Sequence, residues 1–229
     1  MPSHMGLFAA GLEDAFVFYR SQNERYQPAA GFDLVSFKGD SLELVDSASW
    51  IIPTLQNRKI FADAGFASFE DRLYMMPAFE DVIYAMDAEG QLDTAFVLNM
   101  PTSLRFSGLS ELSDPVLSFF DLLDAWSESE RIHFHGSLSI TSSHLIFTSR
   151  KGDGQILTLY DLRSGASRYF DSRLLNPHPQ VDVRLVGADQ EFFYMAATGP
   201  TEILESLTGQ KIDLEKVSAV VYKVRFKDL

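Results

Sequence analysis

Three stretches of this chain repeat one local pattern, and that repetition restricts the folds open to it. Leu34–Gly39 (LVSFKG), Ile83–Gly90 (IYAMDAEG) and Leu157–Gly165 (LTLYDLRSG) each run an apolar or aromatic strand into a polar turn ending on glycine, with a second strand beyond. Two of them follow another apolar strand, around Leu73–Met75 and Leu145–Phe147, and Phe192–Met195 is a further copy of that preceding strand. The stretch from Ser68 to Met100 shows the unit most fully. Arg72 to Met76 reads as a strand ending at Pro77. Asp81 to Asp87 alternates Val82, Tyr84 and Met86 against Ile83 and Ala85, and Leu92 to Leu98 returns. Period-two alternation bounded by Pro, Gly and Asp is the pattern of antiparallel strands. Between the last two, Ala88 to Gln91 forms the turn, where Gly90 is expected to supply a positive φ.

The rest of the chain fits the same scheme. Phe16–Tyr19, Phe32–Phe37 and Leu42–Val45 read as strands, followed by short apolar runs at Trp50–Pro53 and Lys59–Phe61. After the loop from Pro101 to Gly108 comes a helical pattern: Leu112, Val116, Leu117, Phe119, Phe120, Leu123 and Trp126 recur mainly at helical spacing, with Ser113 as N-cap and Pro115 in the first turn. The spacing predicts a helix from Asp114 to Trp126, packed on the sheets. Strands resume at Arg131–Ile140, Leu145–Thr148, Ile156–Tyr160, Ser167–Phe170, Val181–Val186, Glu191–Ala197 and Val217–Phe226, and Pro200–Leu207 reads as a helical turn. Many short strands in repeated groups point to an all-β fold, a β-propeller of antiparallel blades with one inserted helix. A β-sandwich is the rival. Residues 1–10 are set aside as a cloning remnant or disordered N-terminus, and residues 11–229 are read as the propeller domain.

Composition narrows the function classes. A hydrophobic fraction of 46% with 19 Phe is enough for a sizeable core. The net charge of −13 repels phosphate backbones, and no Lys/Arg cluster offsets it, so no nucleic-acid partner is expected. The chain has no cysteine, which excludes disulfides and thiolate chemistry. No apolar run is long enough for a transmembrane helix, and no signal peptide is visible.

The segment Arg72–Gly90 (RLYMMPAFEDVIYAMDAEG) resembles the "pf.dtIY.id..g" segment of the bacterial six-bladed β-propeller family related to NHL-repeat proteins. The helical stretch, the Leu157–Gly165 hairpin and the final strand around Ala219–Val224 fit the second half of that family. The resemblance implies an exported, often lipid-anchored envelope protein of generally unassigned role. The chain departs from it in length. At about forty to fifty residues per blade, it holds four to five blades. It is then either a truncated six-bladed propeller or a smaller or incompletely closed one, and an open arc would bury its end faces in a homodimer.

Candidate chemistry is sparse. His133 and His135, two apart in a strand, share one face as metal ligands can. Without a third ligand they read as polar residues on a solvated face. Glu70, Asp71, Glu80 and Asp81 form an acidic cluster that lacks the EF-hand pattern. Ser142, Ser143 and His144 suggest a Ser/His pair, but adjacency does not make a triad and no G-x-S-x-G elbow is present. Lys151–Gln155 (KGDGQ) lacks the Walker spacing. Tyr19, Tyr26, Tyr169 and Phe170 lie near turns, where a carbohydrate or peptide can stack. No catalytic residue and no cofactor is assigned. The expected function is a non-catalytic binding module for a protein, peptide or glycan. The alternative is a propeller-type metal-assisted hydrolase or lyase.

Overall fold

The structure is a computed structural model. It describes residues 9–12, 15–20, 30–38, 40–50, 64–77, 81–87, 91–98, 132–151, 154–171, 178, 180–209, 211 and 219–226. The predicted helix from Asp114 to Trp126, the run at Lys59–Phe61 and Gly90 lie outside these residues. Two compact units divide the chain, one taking Met1–Gly136 with Arg150–Asp153, the other Ser137–Ser149 with Gly154–Leu229.

The first unit holds two four-stranded antiparallel meanders. One is β1 (Ala9–Leu12), β2 (Ala15–Arg20), β3 (Ala30–Lys38) and β4 (Ser41–Trp50); the other is β5 (Ala64–Phe69), β6 (Arg72–Pro77), β7 (Val82–Met86) and β8 (Leu92–Val97). Period-two alternation carries β6 and β7. Leu73 and Met75 are fully buried, as is Ile83 on the neighbouring strand, and the register sets Leu73 opposite Met86 and Tyr74 opposite Ala85. On the other side of β7, Phe96 lies opposite Ile83 and stacks on Tyr74 with ring centroids 6.2 Å apart.

Glu70 and Asp71 turn β5 into β6. Phe69 pairs with Arg72, and both turn residues have positive φ, 50° and 59°. This is the two-residue hairpin that favours Asn-Gly, built from two residues with a Cβ, at a cost of about 1 kcal/mol each. Glu70→Asn with Asp71→Gly is expected to stabilise the protein by about 1 kcal/mol, read as a raised urea midpoint. A lowered midpoint would contradict the turn assignment. The register also dissolves the acidic cluster expected from sequence. A meander puts successive turns at opposite ends of its sheet, so Glu70 and Asp71 sit at one end of β6, and Asp81, just before β7, at the other. Glu80 lies outside the described residues.

The second unit holds most of a third meander, β9 (Ile132–Ile140), β10 (His144–Lys151), β11 (Gly154–Asp161) and β12 (Ser167–Asp171), and a three-stranded sheet of β13 (Asp182–Ala188), β14 (Phe192–Thr198) and β15 (Val220–Arg225). All three sequence repeats therefore fall on the hairpin between the third and fourth strands of a four-stranded sheet. The preceding strands fall on second strands β6, β10 and β14. One core joins the two sheets of this unit: Ile146, Leu157 and Leu159 from the third sheet, Phe193 and Met195 from β14. Pro200–Leu207 is helical as expected, forming α1 (Thr201–Thr208); it adds Leu204 to this core and ends on Gly209 at φ 67°, whose N–H bonds to the Glu205 carbonyl. The final strand pairs with β14, Met195 opposite Tyr222.

Candidate functional site

Alternate turns of a meander share one end of the sheet, so the β9–β10 turn and the β11–β12 turn meet. Thr141 organises the first. Its Oγ1 accepts hydrogen bonds from the Ser143 and His144 amides at 3.3 and 3.0 Å. Asp161 organises the second, its Oδ1 accepting from the Arg163 and Ser164 amides at 2.9 and 2.7 Å and from the Ser164 hydroxyl at 3.0 Å. The Leu162 N–H donates to the Ser143 carbonyl at 2.9 Å and ties the two turns together. Between them lies an open pocket of about 380 Å³, lined by Ser142, Ser143, Asp161, Leu162 and Arg163.

The three-stranded sheet repeats this construction with different side chains. Asp189 takes the place of Thr141, its Oδ1 accepting from the Glu191 and Phe192 amides at 2.8 Å each. Phe226 takes the place of Leu162, its N–H bonding to the Glu191 carbonyl at 3.0 Å. Two sheets thus share a turn scaffold, and the pocket is one version of it.

At the pocket edge, Ser143 Oγ lies 2.8 Å from His144 Nδ1, and His144 Nε2 lies 3.9 Å from Asp161 Oδ2. Ser143 lies in the turn and His144 opens β10. The imidazole stacks on Phe226, with centroids 4.9 Å apart. Burial pushes its pKa below the usual histidine range; Asp161 opposes this, and Arg168 reinforces it. The Ser164 hydrogen bonds hold the exposed Asp161 carboxyl below the usual carboxylate range. Nδ1 can accept the Ser143 proton only in the neutral tautomer that carries its hydrogen on Nε2. The rest of a nucleophilic site is weakly met. At 3.9 Å Asp161 is beyond hydrogen-bond range, and the amides of residues 143, 144, 162, 163 and 164 are all committed within the turns, so they cannot stabilise an oxyanion.

A histidine that resists protonation when folded stabilises the fold above its unfolded pKa, about 6.5, and that contribution is lost as the pH falls through this value. Lowering the pH from about 7.5 to 5 is thus expected to depress the melting temperature of the native protein more than that of His144→Gln. Parallel acid responses would contradict the burial of His144.

The other sequence candidates are dispersed. His133 and His135 lie on β9, but their side chains are outside the described residues. Among the described residues, no three His, Cys, Asp or Glu side chains gather to hold a metal ion, and no helix is long and apolar enough to cross a membrane. Tyr169 and Phe170 lie on β12, where Phe170 packs against the core. Tyr26 and the side chain of Tyr19 are outside the described residues. Asp161 was missed as a site residue. Its only sequence signal is the turn it opens, Asp161–Gly165.

No protein-family model matches the chain, and neither does any curated protein. Among solved structures it is similar to a protein of Bacteroides fragilis described as inferred to be exported, with TM-score 0.59 and 12% identity over 97% of this chain. The chain spans 66% of that protein's length. The likeness shows a shared fold. A post-proline cleaving enzyme from Rickettsia typhi aligns with TM-score 0.32 and 9% identity over 84% of this chain and 24% of its own, too distant to establish a common fold.

Proposed function

We propose that the sheets are blades of a propeller and that the chain is a non-catalytic binding module, working in the bacterial envelope, whose ligand contacts the turns of the third sheet. The observation that carries this reading is the pocket bounded by Ser142, Ser143, Asp161 and Arg163. Its Asp161 carboxylate is preorganised by bonds to the turn amides, and it offers hydroxyls, a carboxylate and a guanidinium together with an apolar Leu162. Such a set suits a small polar peptide or glycan segment. The committed amides favour binding over acyl transfer. The fold shared with a Bacteroides fragilis protein described as inferred to be exported supports the location.

The test is a thermal-shift panel of neutral oligosaccharides and short peptides on the intact chain, followed by titration of any hit. Arg163→Ala and Ser142→Ala are expected to weaken binding roughly tenfold or more, as for loss of a charge-assisted hydrogen bond, with the ligand recovered unchanged by mass spectrometry. Turnover of the ligand that disappears in Ser143→Ala would overturn the non-catalytic reading.

A further inference from the structure

The last sheet differs from the other three. Among the described residues they have four strands each and it has three, and β15 pairs only with β14. One face of β15 belongs to the core, where Tyr222 and Val224 pack. The other carries Val221, which is 60% exposed, with Lys223 and Arg225. Both cations lie over the Phe192 ring, Lys223 Nζ at 4.4 Å and the Arg225 guanidinium carbon at 4.9 Å from its centroid. The Arg225 Nε is buried and makes no hydrogen bond among the described residues. Asp189, the carboxylate near Lys223, is already engaged by Tyr194 and its own turn amides. Two cations held by an aromatic face, on a chain of net charge −13, form a local reversal of sign.

We infer that the outer edge of β15, which has no strand partner among the described residues, accepts a fourth strand from a partner: an extended peptide segment with acidic side chains at alternate positions. The main chain supplies the hydrogen bonds that an edge strand offers. The acidic side chains fall on the Lys223/Arg225 face, and the intervening apolar ones continue the Tyr222/Val224 face. Charge selects the occupant. Pairing of β15 with a second β15 sets cations near cations, which blunts self-association, whereas an acidic strand gains at both positions. The site is separate from the pocket of the third sheet.

The experiment is fluorescence anisotropy on the intact chain with a labelled, end-capped peptide of about eight residues alternating valine and glutamate. Saturable binding is expected, weakened about tenfold or more in Lys223→Glu with Arg225→Glu and by added salt. The same peptide N-methylated at alternate amides should lose binding, which tests strand pairing without altering the protein. The lysine–valine counterpart should not bind. The idea is overturned if the glutamate peptide fails to bind the folded chain, if charge reversal leaves affinity unchanged in a variant with native circular dichroism, or if light scattering shows the free chain dimerising through this edge.

Discussion

Phe193→Ala is expected to destabilise the second unit by about 3–5 kcal/mol. Phe193 is fully buried on β14 and lies 5.9 Å, centroid to centroid, from Phe226. It also belongs to the core shared by β10, β11, β13, β14 and α1. Truncation removes a large apolar surface and leaves a cavity bounded by two sheets, which the rigid strand registers cannot collapse to fill. Set against a typical total of about 5–15 kcal/mol, this loss should shift urea unfolding far to lower concentration. Val221→Ala, on the exposed face of β15, should stay within about 0.5 kcal/mol. Equal effects from the two substitutions would mean that the core is not where these sheets place it.

Removing residues 219–229 is expected to have the second large effect. The deletion takes away β15 and Phe226, and with them the strand that pairs with β14 from Phe192 to Ala197. It exposes the β14 edge, uncovers Phe193 and leaves His144 without its stacking partner. An exposed apolar strand edge invites association. The shortened chain should melt at lower temperature and scatter light as soluble aggregates, while the full chain does not. A shortened chain that stays monomeric and equally stable would make β15 peripheral.

What was legible in the sequence was local. The hairpin between the third and fourth strands declares itself through turn chemistry, an Asp followed by polar residues and Gly, as at Asp161–Gly165. The second strands declare themselves through dense apolar residues such as Leu145–Phe147. First strands were harder to read. Ala9–Leu12 (AAGL) and Ala64–Phe69 (AGFASF) are built on Ala and Gly, which have little β preference of their own; the second carries no strand signal, and Ala9 and Ala10 of the first, set aside with the N-terminus, instead pair with Phe18 and Val17 of β2. The polar end of β4, Asp46–Ser49, hid a strand that was expected to stop at Val45. The site was less legible still. Ser143 and His144 stand out as neighbours, but the carboxylate beside them arrives from the next hairpin of the same meander, and only the strand order brings it there. The acidic cluster failed for the same reason: residues close in sequence were sent to opposite ends of β6.

The central claim is that this chain is built from antiparallel meanders of consecutive strands whose turns present the polar groups. Long-range nuclear Overhauser effects in the deuterated protein test it most directly. Cross-strand contacts are predicted between Tyr74 and Ala85, Leu157 and Phe170, and Met195 and Tyr222. Contacts that pair β7 or β11 with strands distant in sequence, or that leave Met195 and Tyr222 unconnected, would contradict it.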